Sequence, residues 1–119
     1  MKALGDRYEA LAADWLSQRG LKILERNFRS RTGEIDIIAL DQGCLVFVEV
    51  RARGNPCFST AAASVTHHKQ RRIIATAQRF LQSRPRLQHT ACRFDVVAFE
   101  APEAGEPAPI RWIRSAFTA

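Results

Sequence analysis

The stretch GEIDIIALDQGCLVFVEVRAR (residues 33–53) constrains the fold more than any other part of this 119-residue chain. Apolar side chains alternate with charged ones over residues 34–37 and 48–51, residues 38–40 and 44–47 are apolar, and the segment Asp41-Gln42-Gly43 between them is short and polar. Alternation with a period of two is typical of strands, and a short connection that contains glycine is typical of a hairpin. The stretch therefore predicts two antiparallel strands joined by a tight turn.

The register of this hairpin follows from its apolar pattern. Pairing Leu40 with Leu45 places the apolar sets of both strands on common faces, whereas a connection one residue shorter would turn one strand over. On the other face the charged residues then collect away from the turn, with Asp36 opposite Glu49 and Glu34 opposite Arg51. The first face is wholly apolar and is predicted to be buried: Ile35, Ile37, Ala39, Val46, Val48 and Val50.

The facing carboxylates of Asp36 and Glu49 need a compensating cation, because like charges directly opposite one another on a strand pair repel. Arg51 is one candidate, and it would make these charges a partly buried structural cluster. A bound divalent ion is the other candidate, because Mg²⁺ takes carboxylate oxygens and keeps several water ligands in a half-open site. The residues alone leave both interpretations open.

The rest of the chain predicts helices and further strands around the hairpin. Apolar residues at helical spacing predict a first helix over residues 3–19, and Ser64 or Thr66 can cap a second helix that ends near residue 83. Strands are predicted at residues 21–28, 92–99 and 110–117. The order is helix, three-stranded antiparallel meander, helix and strand, with one further strand, which predicts an α/β fold with a mixed central sheet flanked by helices in a single domain over residues 1–119.

The predicted first helix brings one more acid toward the hairpin. Glu9 lies about 100° round the helix axis from the centre of the apolar stripe, at the rim, where it could reach over the end of the sheet. A solvated glutamate is the simpler interpretation of the same position. The stripe itself comprises Leu4, Tyr8, Leu11, Ala12 and Trp15.

The composition favours a polyanionic partner. Eighteen Lys and Arg against twelve Asp and Glu give a net charge of +6, and most of the cations are arginine, which suits bidentate phosphate contacts. The three cysteines have no CxxC spacing, which argues against a disulfide framework and against a structural zinc site. No apolar run approaches the ~20 residues of a membrane span, and the N-terminus is unlike a signal peptide, so we expect a cytoplasmic protein without membrane contacts.

Several of these motifs together resemble a known family. The markers are Glu9, RNFRSRTGEIDIIA (residues 26–39), VFVEVRAR (46–53), HHKQRRI (67–73) and RFDVVAF (93–99). They resemble the YraN-type family of predicted bacterial endonucleases, in the restriction-endonuclease-like (PD-(D/E)xK) superfamily and distantly similar to archaeal Holliday-junction resolvases. The resemblance implies a restriction-endonuclease-like core and metal-dependent hydrolysis of DNA phosphodiester bonds, with branched or junction DNA as a candidate substrate.

The resemblance also assigns roles to individual residues. It makes Asp36 and Glu49 ligands of Mg²⁺ or Mn²⁺, and Glu9 an additional acid from the first helix. The family's lysine falls on Arg51, which stays protonated and so can bind a phosphate or stabilise developing charge but cannot act as a general base. Lys69 flanks the stripe of the second helix and is the candidate to replace that lysine in space.

The arginines around the acidic strands are candidate DNA contacts. Arg26, Arg29 and Arg31 lead directly into the acidic strand, and Arg53 follows the next strand, so phosphates bound by these side chains would lie beside the acids. The adjacent His67 and His68 diverge on a helix and are interpreted, with His89, as surface residues.

Three functions remain open from the sequence. The first is a metal-dependent DNA nuclease, for which symmetric cutting of paired strands would favour a homodimer. The second is a nucleic-acid-binding module on a nuclease fold without efficient catalysis. The third is a protein-interaction domain whose charge cluster is structural. Metal dependence distinguishes the first function from the others, and salt-dependent DNA binding distinguishes the second from the third.

Overall fold

The hairpin supplies the second and third strands of a five-stranded sheet. The computed structural model describes residues 2–52, 65–100, 104–105 and 109–119, with side chains from residue 7 onward. Every predicted helix and strand is confirmed to within two residues at each end, and of the described elements only the 3₁₀ turn was not predicted. In chain order the elements are α1 (Lys2–Gln18), β1 (Lys22–Ser30), β2 (Gly33–Asp41), β3 (Cys44–Ala52), α2 (His67–Gln82), the 3₁₀ turn (Pro85–Leu87), β4 (Cys92–Phe99) and β5 (Ile110–Phe117).

The strands are ordered β1-β2-β3-β4-β5 in a mixed sheet. The first three form an antiparallel meander, β4 runs parallel to β3, and β5 returns antiparallel to β4. Two parallel neighbours require a crossover of a dozen or more residues, which is usually a helix. The crossover between β3 and β4 contains α2, so the predicted α/β class with a mixed sheet is confirmed.

The β2–β3 turn sets the hairpin register by its backbone conformation. Gln42 and Gly43 at its centre have φ values of 50° and 85°. Positive φ at both central residues is the signature of a type I′ turn, whose twist matches that of the two strands. Leu40 pairs with Leu45 and Ile38 with Phe47, which confirms the predicted register near the turn. The predicted backbone pairs of Asp36 with Glu49 and of Glu34 with Arg51 do not form.

The two faces of the hairpin are both buried, each against a different helix. Ile37, Ala39, Val46 and Val48 are 0% exposed and pack on the α1 side, as predicted for the apolar face. The prediction is wrong for Ile35, which packs on the α2 side with Ile38 and Phe47, and Val50 is only half-buried. The pairing of β2 with β3 ends at Ile37 and Val48. In β1, opposite Asp36, Asn27 has a φ of 57°, so regular alternation does not continue past Asp36.

The buried face of α1 is rotated relative to the predicted stripe. Ala12 and Leu16 are fully buried, whereas Leu11, which was predicted to be in the stripe, is 46% exposed. At about 100° per residue, Glu9 lies roughly 20° from Leu16 and roughly 60° from Ala12 round the helix axis. Glu9 therefore lies on the buried side of the helix and not at its rim, and this explains why the side chain is half-buried.

The junction of β4 and β5 contains a bulge that is closed by a buried carboxylate. The pairing register shifts between Phe94 and Val96, and Ser115 in β5 has a φ of 49°. Asp95 is 0% exposed and accepts hydrogen bonds from the Ser115 N–H and the Trp112 Nε1–H, both at 2.9 Å. The Arg93 guanidinium contacts both Asp95 oxygens at 3.1 Å and reaches Asp41 at 2.8 Å. This network ties the end of β2 to β4 and β5.

Helix α2 begins at a side-chain cap. Thr66 accepts a hydrogen bond from the Lys69 N–H at 3.2 Å, which satisfies one of the free donors at the start of the helix. The other predicted cap, Ser64, lies outside the described residues. Neither α1 nor α2, the two α-helices in the described part of the chain, is long and apolar enough to cross a membrane.

Candidate active site

An open cavity of about 770 Å³ lies where β2 and β3 separate beyond the Ile37–Val48 pair. Residues from β1, β2 and β3 line it, together with residues from both α-helices. The sheet provides its floor, and the helices on the two faces provide opposite walls. All five residues predicted from the sequence to be catalytic line this single cavity: Glu9, Asp36, Glu49, Arg51 and Lys69.

The acid pair predicted across the hairpin is in contact. Asp36 is 6% exposed, and its carboxyl group is within hydrogen-bonding contact of Glu49. The Val50 N–H donates to Asp36 Oδ2 at 2.8 Å, which fixes the side chain at the point where backbone pairing has stopped. Burial first, and then the neighbouring Glu49, raise the pKa of Asp36 from an ordinary value of 3.8 to about 9. At neutral pH the pair therefore retains a proton when no cation is bound.

The third predicted acid, Glu9, enters the same cavity from α1. Its Oε1 atom is shielded from solvent, as the rotation of the helix explains. Glu34 also lines the cavity, is exposed, and pairs with Arg29 at 3.1 Å. Among the described residues, the cavity thus has four acidic side chains at different depths, with Asp36 the most deeply buried of them.

The acid pair has the donor set of a hard-cation site. Within the described residues, no three His, Cys, Asp or Glu side chains form a group that could hold a metal ion, so the role of Glu9 as a ligand stays a prediction. Mg²⁺ is commonly bound by one or two carboxylates, with waters and substrate phosphates completing its coordination. A cation would replace the proton that Asp36 and Glu49 share. The two carboxylates therefore fit Mg²⁺ or Mn²⁺, and Asp36 and Glu49 are the residues that would hold it.

Cationic side chains surround the acid pair. Arg51 from β3 and Lys69 from α2 are half-buried, whereas Arg29 from β1 and Arg72 from α2 are exposed. Of the arginines predicted to contact DNA, only Arg29 lines this cavity among the described residues. Arg26 and Arg31 are exposed elsewhere on β1 and the following turn, and Arg53 lies outside the described residues.

Arg72 was missed by the sequence-based prediction. Its Nε donates to the Thr32 carbonyl at 3.3 Å, and its guanidinium lies against Gly33. A Cβ on Gly33 would lie 3.7 Å from Arg72 Nε and 3.4 Å from Thr76 Oγ1. The nearest signal in the sequence was the glycine before the acidic strand, whose φ of 140° is unfavourable for other residues and marks the turn that presents the Thr32 carbonyl to Arg72.

The comparisons with known proteins match most or all of this chain to a single family. The family described as "Uncharacterised protein family UPF0102" matches residues 8–99. This range includes Asp36 and Glu49 and the arginines and lysine that surround them in the cavity. A UPF0102 protein of Alcanivorax borkumensis is 49% identical over 116 residues, covering 98% of this chain and 92% of that protein. A UPF0102 protein of Stutzerimonas stutzeri is 47% identical over 113 residues, with 95% and 92% covered. One from Methylobacillus flagellatus is 43% identical over 119 residues, the full length of both chains. The chain belongs to the UPF0102 family.

Proposed function

We propose that this protein is a divalent-metal-dependent endonuclease that hydrolyses DNA phosphodiester bonds, with branched DNA as its preferred substrate. The observation that carries the proposal is the contact of the buried Asp36 with the half-buried Glu49, in a cavity bordered by Arg29, Arg51, Lys69 and Arg72. Acids at the floor would hold a cation, and arginines and a lysine at the border would hold the phosphates on either side of the bond that is cut. The net charge of +6 supports a polyanionic substrate.

The residues divide the chemistry between them. When bound, Mg²⁺ or Mn²⁺ supplies Lewis-acid polarisation of the phosphoryl group and activation of a water nucleophile. Arg51 can offer positive charge to the phosphate but cannot act as a general base, because a guanidinium has no lone pair with which to accept a proton. Lys69 lines the same cavity from α2 and is the candidate general base. Val50 keeps the Asp36 carboxyl in place through its N–H, so the acid pair is pre-organised.

A cleavage panel tests the proposal. Linear duplex, single-stranded, flapped and four-way DNA are incubated with the protein in Mg²⁺, in Mn²⁺ or in EDTA. We expect divalent-dependent cleavage that is fastest on the flapped or four-way substrates. Absence of cleavage in both metals, with DNA binding intact, would favour the second candidate, a DNA-binding module without efficient catalysis. That candidate is favoured by Arg51, because this arginine stands where the PD-(D/E)xK motif that the sequence resembles has its lysine.

Lys69 can be tested as a base by two substitutions. Lys69→Met and Lys69→Arg are both expected to reduce cleavage by about a hundredfold or more, because neither replacement can accept a proton. Lys69→Arg should bind DNA at least as tightly as wild type, since a guanidinium supplies a positive charge at this position. The control is Lys22→Arg, an exposed lysine paired with Leu40 at the turn end of the sheet. Cleavage by Lys69→Arg at the wild-type rate would assign Lys69 to phosphate binding.

Gly33 can be tested as the residue that permits the turn beside Arg72. Gly33→Ala should lose roughly 1–3 kcal/mol of stability from the positive φ. DNA affinity should stay at the wild-type level, because the added Cβ would lie 3.7 Å from Arg72 Nε, an ordinary van der Waals distance. Gly20→Ala is the matched control, because Gly20 also has a positive φ, of 95°, but a Cβ added there would meet nothing within 4 Å. Thermal unfolding and DNA binding are measured on both variants. Weaker DNA binding by Gly33→Ala than by Gly20→Ala would show that the added methyl group does displace Arg72.

A further inference from the structure

A second cavity adjoins the acid-lined one at the N-terminal part of α2. Its volume is about 470 Å³, and its lining is Thr32, His67, His68, Arg71, Arg72 and Ala75. Arg72 lines both cavities, so the two are neighbours on one surface. Within the described part of the chain, the lining contains two arginines and two histidines and no acidic side chain. We call this cavity the histidine–arginine groove.

A chain of hydroxyl groups fixes the wall between the two cavities. The buried Thr76 donates its hydroxyl to the Arg72 carbonyl at 2.8 Å, so at the 2.9 Å contact with Thr32 the Thr32 hydroxyl is the donor. Thr32 Oγ1 in turn accepts from the Ser30 hydroxyl at 2.7 Å, since its own proton is already used. The Thr32 carbonyl holds Arg72 Nε at 3.3 Å. The β1–β2 turn and α2 are therefore joined, and Arg72 is held at their boundary.

The described lining of the groove carries positive charge and has no acidic side chain to balance it. The first turn of α2 has no acidic residue, although acids are the side chains that stabilise the start of a helix. The charged groups that share the groove with His67 and His68 are Arg71 and Arg72, and the opposing turn contributes Thr32, which does not titrate. All of these side chains except Thr32 and Ala75 are exposed. An anion bound in the groove would offset the positive charge that its lining concentrates there.

We propose that the histidine–arginine groove binds the sugar-phosphate backbone of DNA that continues out of the acid-lined cavity, with Arg72 bridging the two segments. The proposal rests on DNA being the substrate and assigns a binding surface that the cleavage chemistry does not require. Arg71 contributes a permanent charge. His67 and His68 line the same groove and offer imidazole N–H donors to phosphate oxygens.

The test measures DNA binding without cleavage. A fluorescein-labelled four-way junction is titrated with the protein in EDTA at several salt concentrations. Arg71→Gln should weaken binding about fivefold to tenfold and lower the slope of log Kd against log salt by about 1. The matched control is Arg86→Gln, an exposed arginine in the 3₁₀ turn beyond the other end of α2.

The outcomes separate this inference from the nuclease proposal. An Arg71→Gln variant indistinguishable from Arg86→Gln would overturn the groove and leave the nuclease proposal standing. Normal groove-dependent binding by a protein that cuts nothing in Mg²⁺ or Mn²⁺ would support the groove and overturn the nuclease. A wild-type protein that binds no DNA at low salt would overturn both. Thermal unfolding of each variant, expected within about 0.5 kcal/mol of wild type for exposed positions, excludes misfolding as the cause.

Discussion

Replacing Asp36 by asparagine is expected to abolish DNA cleavage and, at the same time, to stabilise the metal-free protein. The amide oxygen can still accept the Val50 N–H, and the amide nitrogen can donate to Glu49 where wild type needs a shared proton. Cleavage should fall by more than about a hundredfold, because the variant loses one of the two carboxylates that would hold the metal. Chemical denaturation in EDTA and cleavage of the best substrate are measured together.

The stability effect has a defined dependence on pH. The pKa of Asp36 is raised to about 9 in the folded protein, against 3.8 ordinarily. Between these values the folded protein retains a proton that the unfolded chain releases, so the stability of metal-free wild type falls as pH rises from about 4 to about 9. Asp36→Asn has no ionisable group at this position, so its stability does not fall for this reason as pH rises. The variant should therefore match wild type near pH 4 and exceed it by at least about 1 kcal/mol at pH 8.

The control for Asp36→Asn is Glu34→Gln, which neutralises an exposed acid in the same cavity. Its ion pair with Arg29 is solvent-exposed, so its stability should change by less than about 1 kcal/mol and cleavage should survive. A loss of stability in Asp36→Asn at pH 8 would mean that Asp36 is ionised in the fold and held by a cationic partner. That result, with unchanged cleavage, would establish the structural charge cluster in place of a metal site.

Replacing Asp95 by alanine is expected to produce the largest loss of stability of any single change described for this protein. Asp95 is fully buried and accepts hydrogen bonds from Arg93, Trp112 and the Ser115 N–H. Its removal leaves the Arg93 charge with less compensation and leaves two further donors inside the sheet. The loss should be about 3–5 kcal/mol, a large part of the 5–15 kcal/mol typical of a domain, and should be visible as a fall of roughly 10–20 °C in Tm.

Two comparisons define the contribution of Asp95. Glu25→Gln removes an acid from the more exposed pair with Arg84, at 3.1 Å, and should change stability by less than about 1 kcal/mol. Trp112→Phe removes a single donor from the network and should have an intermediate effect. If Asp95→Ala unfolded no more easily than Glu25→Gln, the β4–β5 bulge would be held by its backbone and packing alone.

The hairpin was predictable from sequence because everything that sets it is local. Alternation fixed the strands, the turn residues Gln42 and Gly43 fixed the connection, and together they fixed which residues face one another. The contact between Asp36 and Glu49 followed from that register before any tertiary information was used. The position of Glu9 in the same cavity was anticipated by helical geometry, although through a stripe centred on the wrong residues.

The predictions from sequence were wrong or incomplete at positions where segments far apart in the chain pack together. Ile35 was assigned to the wrong face because the irregularity beside it involves Asn27 of the neighbouring strand. Leu11 is exposed because the docking of α1 selects a neighbouring row of small residues. The approach of Arg72 to the cavity depends on a contact with Thr32, 40 residues away in the chain. None of these contacts leaves a periodic signal in the sequence.

The strand order has a consequence for the rigidity of the candidate site. β2 and β3 have bonded neighbours on both sides, whereas β1 lies at the edge of the sheet. Backbone amides in central strands exchange with solvent only through large-scale opening, while edges and helix starts open locally at lower free energy. Asp36 and Glu49 directly follow the last β2–β3 pair, Ile37 with Val48, and Glu49 remains paired with Val96 of β4. We therefore expect their amides to exchange more slowly than those of Arg29 in the edge strand and of the first turn of α2. As a result the acid pair keeps one geometry while the surrounding cations can adjust to polyanions of different curvature.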